Sequence, residues 1–186
     1  MAKQAIECVI GDSHRAANII SSVGYLIQKT HPAATALDIN DVIKDTLDIV
    51  SRGLQRDNVE LEIEFAKDLR PIMGDRIQLG RLFDNLIANA IEAMSAVTDR
   101  KRKLRISTQL NENGDVLVAI EDTGTGIDPA KIGHIFDPFF TTKREGLGLG
   151  LSICRSIAIA HSGRLSASAN LPYGSIFRVT IPACSG

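Results

Sequence analysis

Two asparagines spaced four residues apart, Asn85 and Asn89, stand in a segment whose apolar residues recur at helical spacing. Residues four apart project from one face of a helix, and asparagine is a poor helix former. The positions around them are apolar, so both amides border the predicted core, where a buried amide needs hydrogen-bond partners. The pair is a candidate binding element; the alternative is two solvated or capping amides.

Two glycine-rich segments could bring the backbone close to a ligand. Residues 122–126, Asp-Thr-Gly-Thr-Gly, end a predicted strand with a carboxylate, and their glycines permit close approach. The alternative is an ordinary turn. Residues 146–150 alternate Gly and Leu before a predicted helix, which leaves N–H groups and the positive helix end for an anion. This second segment matches neither the dinucleotide pattern nor a P-loop, and its alternative is a flexible loop.

The hydrophobic periodicity predicts the elements that position these segments. The predicted helices are 6–27, 42–55 with Asn40 or Asp41 as N-cap, about 75–97, and 149–161; the predicted strands are 36–39, 59–65, 104–109, 115–121, 164–169 and 175–181. We predict an α+β fold, a two-layer α/β sandwich with helices on one face of a mixed sheet, preceded by one long amphipathic helix.

Composition limits the function classes. The chain has 186 residues, 44% hydrophobic and 23% charged, with a formal net charge of −1, which excludes a disordered chain and gives no reason to expect a nucleic-acid partner. Its three cysteines are far apart and predict reduced thiols in a cytoplasmic setting. No apolar run reaches the roughly 18 residues of a membrane span.

The segments, taken in order, resemble the ATP-binding catalytic domain of sensor histidine kinases, in the superfamily shared with type II topoisomerases and MutL-type mismatch-repair ATPases. Residues 85–90 resemble the N box, 122–126 the first glycine box, 136–143 the F box and 146–151 the second glycine box. The resemblance extends over about residues 37–182 and implies the Bergerat-type ATP-binding fold.

The resemblance also implies individual roles. Asp122 accepts a hydrogen bond from the adenine amino group, Asn89 gives its side-chain oxygen to Mg²⁺, and the F box forms a lid over the nucleotide. The implied nucleotide-binding residues are Asn89, Asp122, Gly124, Gly126, Phe136, Phe140, Thr142, Lys143, Gly146, Gly148, Leu149 and Gly150.

Position 85 separates branches of that superfamily. The ATP-hydrolysing branches have a general-base Glu there, whereas Asn85 cannot take a proton at neutral pH, which favours phosphoryl transfer to a protein side chain. The expected catalytic residues are Asn85, Asn89 and Glu92, with a surface charge as the alternative for Glu92. Thr125 and Leu147 depart from the commonest family pattern, and Leu147 removes a possible phosphate-contacting hydroxyl.

No block with a phosphoacceptor histidine is found. We therefore expect residues 1–31 to be the second helix of a dimerisation hairpin, 32–36 a linker and 37–186 the catalytic domain, with the acceptor helix, a response regulator receiver domain and a second copy of the kinase as partners. The four histidines, His14, His31, His134 and His161, are not expected to be catalytic; His161 is expected to meet the negative end of a helix. The alternatives are an ATP-hydrolysing switch, a degenerate docking module, or a serine kinase with the same fold.

Overall fold

The computed structural model describes residues 34–142 and 146–184. Its helices are α1 (Ile39–Arg56), α2 (Arg76–Ser95) and α3 (Gly150–Ala160), and its strands are β1 (Thr35–Leu37), β2 (Glu60–Phe65), β3 (Ile72–Gly74), β4 (Lys103–Leu110), β5 (Val116–Asp122), β6 (Arg164–Ala169) and β7 (Ser175–Ile181). The predicted helix at 6–27 lies outside the described residues, as do His14 and His31. Within the described part of the chain, no helix is long and apolar enough to cross a bilayer.

Five strands form a mixed sheet in the order β2-β4-β5-β7-β6. The outer strand β2 runs parallel to β4, with Glu60 opposite Lys103, and the remaining neighbours are antiparallel. The mixed sheet predicted from the sequence is confirmed. A separate pair of short strands, β1 and β3, places Thr35 opposite Gly74, so the last residues of the predicted linker belong to a strand.

One face of the sheet is covered by the helices. Alternate residues of β5 and β7 are buried, and α2 packs on β5 while α3 packs on β6 and β7. The helical side of the core is dominated by α2, whose buried residues include Leu79, Leu82, Phe83, Leu86 and Ile87. The opposite face is charged, with Lys103 paired to Glu62 and Arg105 to Glu64. The two-layer α+β sandwich is therefore confirmed.

Helix α1 begins earlier than the sequence predicts. Asp38 is the N-cap, because its carboxylate accepts the Asn40 N–H at 2.8 Å. Asn40 is instead buried inside the first turn, where its amide donates to the Ala66 carbonyl and accepts from the Thr108 hydroxyl. The predicted caps Asn40 and Asp41 were wrong because Asn40 ties α1 to the sheet, a long-range contact that local sequence does not reveal.

Helix α2 starts where the sequence predicts it. The Asp75 carboxylate accepts the N–H groups of Ile77 and Gln78 at 2.7 and 3.0 Å. The Asp75 N–H donates to Nε2 of His161, whose Nδ1–H donates to the Ile157 carbonyl at 2.8 Å. His161 thus contacts the end of α3 as expected, and it also joins that end to the start of α2.

Candidate functional site

Asp122, the last residue of β5, is the most buried carboxylate of the described residues, with 1% of its surface exposed. Its Oδ1 accepts the Gly124 N–H at 2.7 Å and the Ser175 N–H at 3.3 Å. Its Oδ2 accepts the Ser175 hydroxyl at 2.5 Å. Three donors, one from the glycine turn and two from the first residue of β7, therefore fix the carboxylate at the helix-covered face of the sheet.

Two opposing effects act on the pKa of the Asp122 carboxyl. Burial raises the pKa of the carboxyl above its ordinary value, and the hydrogen bonds from Ser175 and Gly124 oppose that rise. A perturbed carboxylate of this kind is typical of functional sites. An ionised carboxylate offers about four acceptor positions, and the described residues use three, so one position on Oδ2 remains.

The turn between β6 and β7 and the start of β7 supply much of this support, and no motif in the sequence points to them. Besides Ser175, Asn170 donates its amide to the Asp122 carbonyl at 3.0 Å. Gly174 has φ +95°, and a Cβ there would lie 1.8 Å from the Asp122 carbonyl oxygen. Only glycine fits so close to the strand end. The available signal was the alternation of β7, which places Ser175 on the same face as the apolar residues Phe177, Val179 and Ile181.

The first glycine segment rests on the C-terminal part of α2. A Cβ at Gly124 would lie 2.8 Å from the backbone carbonyl of Ala93, and the Thr125 N–H donates to that carbonyl at 3.1 Å. Gly126 has φ +76° and packs near the Gly174 carbonyl. The glycines at 124 and 126 therefore permit close backbone contacts with α2 and with the β6–β7 turn, and their approach to a ligand stays a prediction.

Asn85 and Asn89 occupy the same face of α2 as Ala93, in steps of one turn. Both amides are half-buried, and the Asn85 amide donates to the Arg81 carbonyl at 3.0 Å. A Cβ at Gly150 would lie 3.6 Å from Oδ1 of Asn85. This face therefore runs for about 12 Å from the start of α3 to the glycine turn beside Asp122, with Asn89 between them.

The second glycine segment is held against the phenylalanine-rich loop. Gly148 has φ +66°, and a Cβ there would lie 2.5 Å from the Phe140 carbonyl oxygen. The Phe139 N–H donates to the Gly148 carbonyl at 3.0 Å. Phe139 itself has φ +67° with its side chain 73% exposed, an unusual conformation for an aromatic residue. The two segments therefore meet through backbone contacts that only glycine at 148 permits.

A sequence model of the family described as "Histidine kinase-, DNA gyrase B-, and HSP90-like ATPase" matches residues 74–185. The chain belongs to this ATPase family. The match includes all four motifs on which the resemblance was based, so the prediction of an ATP-binding domain of the sensor kinase type is confirmed.

Relatives of the ATPase family give the same assignment. The chain is 40% identical to "Sensor histidine kinase TmoS" of Ectopseudomonas mendocina over 97% of its own length and 19% of that protein. It is 34% identical to "Sensor protein TdiS" of Thauera aromatica over 96% of its length and 33% of that protein. The chain thus spans only a fifth to a third of these two relatives.

Solved structures agree with the fold. The catalytic domain of histidine kinase ThkA matches with a TM-score of 0.70 at 30% identity, over 81% of this chain and 95% of that one. A structure of ThkA in complex with the response regulator protein TrrA matches with a TM-score of 0.79 at 26% identity, over 99% of this chain and 52% of that one. The α+β sandwich is therefore the fold of histidine kinase catalytic domains.

The remaining predicted residues of the ATPase domain have varied surroundings. Phe136 packs edge-on against Phe177 of β7 with ring centroids 6.5 Å apart, and Phe140 lies 6.3 Å from the His134 ring. Leu149 is buried at the start of α3, where no side chain of the described residues caps the helix. Gly146 is half-buried and Thr142 exposed, whereas Lys143 lies outside the described residues.

A metal ion in this domain would depend on few protein ligands. Among residues 34–142 and 146–184, no three His, Cys, Asp or Glu side chains are grouped closely enough to hold a metal. The half-buried Asn89 offers an amide oxygen, a donor suited to Mg²⁺ when a nucleotide supplies further oxygens. Glu92 is exposed on the next turn of α2. The donor set therefore fits a magnesium ion that arrives with its nucleotide.

Proposed function

We propose that the chain binds Mg-ATP and donates the γ-phosphoryl group to a histidine of a sensor histidine kinase in two-component signalling. The observation that supports it best is the buried Asp122 carboxylate with one acceptor position left. Asp122 adjoins the glycine turn, and that turn packs on Ala93, one turn of α2 beyond Asn89. The resemblance to the ATP-binding domain of sensor kinases implies that the nucleotide binds beside this turn.

Adenine recognition follows from the acceptor chemistry of Asp122. Adenine presents an exocyclic amino group where guanine presents a carbonyl oxygen. The free position on Oδ2 accepts the amino N–H, whereas a guanine carbonyl would face a carboxylate of like polarity. A charge-assisted hydrogen bond contributes about 1.5–3 kcal/mol, or roughly ten- to a hundredfold in affinity.

The phosphates are assigned to the start of α3. The helix begins without a side-chain cap among the described residues, so its first N–H groups and its dipole favour an anion. Gly148 and Gly150 present bare backbone there, and Asn85 lies beside Gly150. The bound magnesium would neutralise phosphate charge, with Asn89 as its protein ligand.

Transfer is favoured over hydrolysis by the side chain at position 85. The Asn85 amide donates to the Arg81 carbonyl and has no basic atom to activate water. In-line phosphoryl transfer depends mainly on positioning and charge neutralisation, so a protein acceptor held in line would complete the site. Glu92, on the exposed face of α2, is the proposed group that orients this acceptor.

The partners are part of the same proposal. The acceptor histidine would come from the first helix of a dimerisation hairpin and the phosphoryl group would pass to a response regulator receiver domain. The ThkA structure contains a response regulator with a kinase of this fold, which supports that choice. The proposal also includes a homodimer, formed by such hairpins, and a location in the cytoplasm.

Incubation with γ-labelled Mg-ATP tests the transfer. The chain is mixed with a separately produced helical hairpin that bears the phosphoacceptor histidine of a sensor histidine kinase. The proposal expects acid-labile, base-stable label on the hairpin and no steady phosphate release by the chain alone. The Asn89→Ala variant is expected to lose the label. Steady phosphate release without label would support the ATP-hydrolysing switch instead.

A further inference from the structure

Arg100, in the connection between α2 and β4, contacts the glycine turn after Asp122. Its Nε–H donates to the Thr123 carbonyl at 3.0 Å and its Nη2–H to the Gly124 carbonyl at 2.9 Å. The side chain is 22% exposed. We propose that Arg100 is a positioning residue that holds the Thr123–Gly124 peptide against Asp122 and so determines the preference for adenine.

The geometry of a single peptide unit carries this inference. The Thr123 carbonyl and the Gly124 N–H belong to one planar trans peptide, so they point in opposite directions. The N–H side donates to Asp122 at 2.7 Å, and the carbonyl side accepts from Arg100. A rotation of this peptide plane would break both hydrogen bonds together.

Glycine at 124 makes such a rotation easy, because a residue without Cβ has few steric barriers. A contact that opposes the rotation is therefore needed if Gly124 is to keep its N–H on Asp122. The cationic guanidinium provides it, and its charge-assisted hydrogen bond also polarises the peptide and strengthens the N–H as a donor.

Arg100 also contacts the loop on the other side of Asp122. Its guanidinium carbon lies 4.1 Å from the ring centroid of Tyr173, in the β6–β7 turn that supplies Ser175 to the carboxylate. Asp99 orients the guanidinium, because its two carboxylate oxygens accept from Nη1 of Arg100 at 2.9 and 3.0 Å. One side chain thus links both loops that hold the carboxylate.

The functional part of the inference rests on the proposed binding of adenine at Asp122. When the peptide turns away, Oδ1 loses a donor, the carboxylate is less favoured as an anion, and the adenine contact weakens. Contacts to the phosphates lie at the start of α3 and are not changed. The loss is therefore specific for the base.

Arg102 offers a matched control. Like Arg100, it donates to backbone carbonyls, in this case three, those of Val97, Asp57 and Ser95, at 2.9–3.0 Å, and none of them belongs to the turn beside Asp122. Arg102→Ala removes a comparable clamp from the same connection. It separates a general loss of stability from a change in the adenine site.

The first readout needs no nucleotide. The amide proton resonance of Gly124 in an ¹H–¹⁵N spectrum reports its hydrogen bond to the carboxylate. Arg100→Ala is expected to move this resonance upfield, Arg100→Lys to move it less because lysine lacks the planar fork, and Arg102→Ala to leave it in place. An unchanged Gly124 resonance in Arg100→Ala would overturn the positioning role.

The second readout is affinity for non-hydrolysable ATP and GTP analogues, measured by calorimetry. Arg100→Ala is expected to weaken the ATP analogue about tenfold and the GTP analogue less than twofold, whereas Arg102→Ala keeps the ratio of the two. An unchanged ratio in Arg100→Ala, with a shifted Gly124 resonance, would overturn the role in specificity. Failure of the wild-type chain to bind either analogue would instead overturn the proposed function. Should Arg100→Ala not fold, Arg100→Lys and Tyr173→Leu give the same tests.

Discussion

The hydrogen bond from the Ser175 hydroxyl to Asp122 gives a prediction that can be worked through in detail. Both residues are buried, at 3% and 1% exposure, and the oxygens are 2.5 Å apart. The hydroxyl donates to the ionised carboxylate, so it lowers the pKa of Asp122 against the rise caused by burial. Ser175→Ala removes this support and leaves the rest of the turn in place.

The magnitude follows from the strength of such a bond. A charge-assisted hydrogen bond contributes about 1.5–3 kcal/mol, and 1.36 kcal/mol corresponds to one pKa unit. If the ionised carboxylate binds adenine, affinity falls as the pH falls through the pKa of Asp122. Ser175→Ala is expected to move the midpoint of this fall upward by about one to two pH units.

The assay is calorimetric titration with a non-hydrolysable ATP analogue over a pH series that starts at the ordinary carboxyl value of 3.8 and extends to neutral pH. Ser166→Ala, an exposed serine on the neighbouring strand β6, is the matched control and should keep the wild-type midpoint. Asp122→Asn should bind weakly with no midpoint. Equal midpoints for wild type and Ser175→Ala would refute the argument that this hydroxyl stabilises the anionic carboxylate.

Three further predictions concern the stability cost of Asp122, the contact of Gly148 with Phe140, and the buried thiol of Cys154. Burial raises the pKa of Asp122 above its ordinary 3.8, so the folded state binds that proton more tightly than the unfolded state does. Ionisation of the carboxyl therefore lowers the stability of the folded state. This penalty is absent below pH 3.8 and reaches its full size above the folded-state pKa. Asp122→Asn removes this penalty and is therefore expected to raise the melting temperature at neutral pH, by about 2–4 °C for each kcal/mol of penalty removed. The same variant is expected to lose nucleotide binding. A lower melting temperature at pH 7 would contradict this prediction. Gly148→Ala places a Cβ against the Phe140 carbonyl at a positive φ, which costs at least about 1–2 kcal/mol. The melting temperature and the affinity for ATP should therefore both decline, whereas Gly133→Ala, where a Cβ meets nothing within 4 Å, should change neither. Burial raises the pKa of the Cys154 thiol to about 12 from an ordinary 9.0, so in a chain with Cys8→Ser and Cys184→Ser the native protein should be alkylated at pH 8 about a thousandfold more slowly than the unfolded one; equal rates would contradict the burial.

The long elements could be predicted from the sequence because their periodicity extends over several turns or residue pairs. Helix α2, β6 and β7 lie close to their predicted bounds, since Leu79, Leu82, Phe83 and Leu86 recur at helical spacing and the strands alternate. Strand β3, with three residues, is too short for any period to be detected. Its pairing with β1 depends on a long-range contact.

The residues that bind the ligand in the proposal could be located by type and spacing, whereas those that support them could not. Asp122 and the glycines stand in a recognisable order along the chain. Ser175 and Gly174 lie in a segment that an ordinary hairpin turn explains equally well. Arg100 belongs to a run of basic residues that is typical of a solvated loop, and only the fold brings it to the Thr123 and Gly124 carbonyls.

Calorimetric titration of the wild-type chain and of Asp122→Asn with non-hydrolysable ATP and GTP analogues, each with and without Mg²⁺, tests the central claim most directly. The account predicts magnesium-dependent binding of the ATP analogue, at least tenfold weaker binding of the GTP analogue, and loss of that difference in Asp122→Asn. Equal affinity of the two analogues for the wild-type chain, or equal affinity of wild type and variant for the ATP analogue, would contradict an adenine site at Asp122.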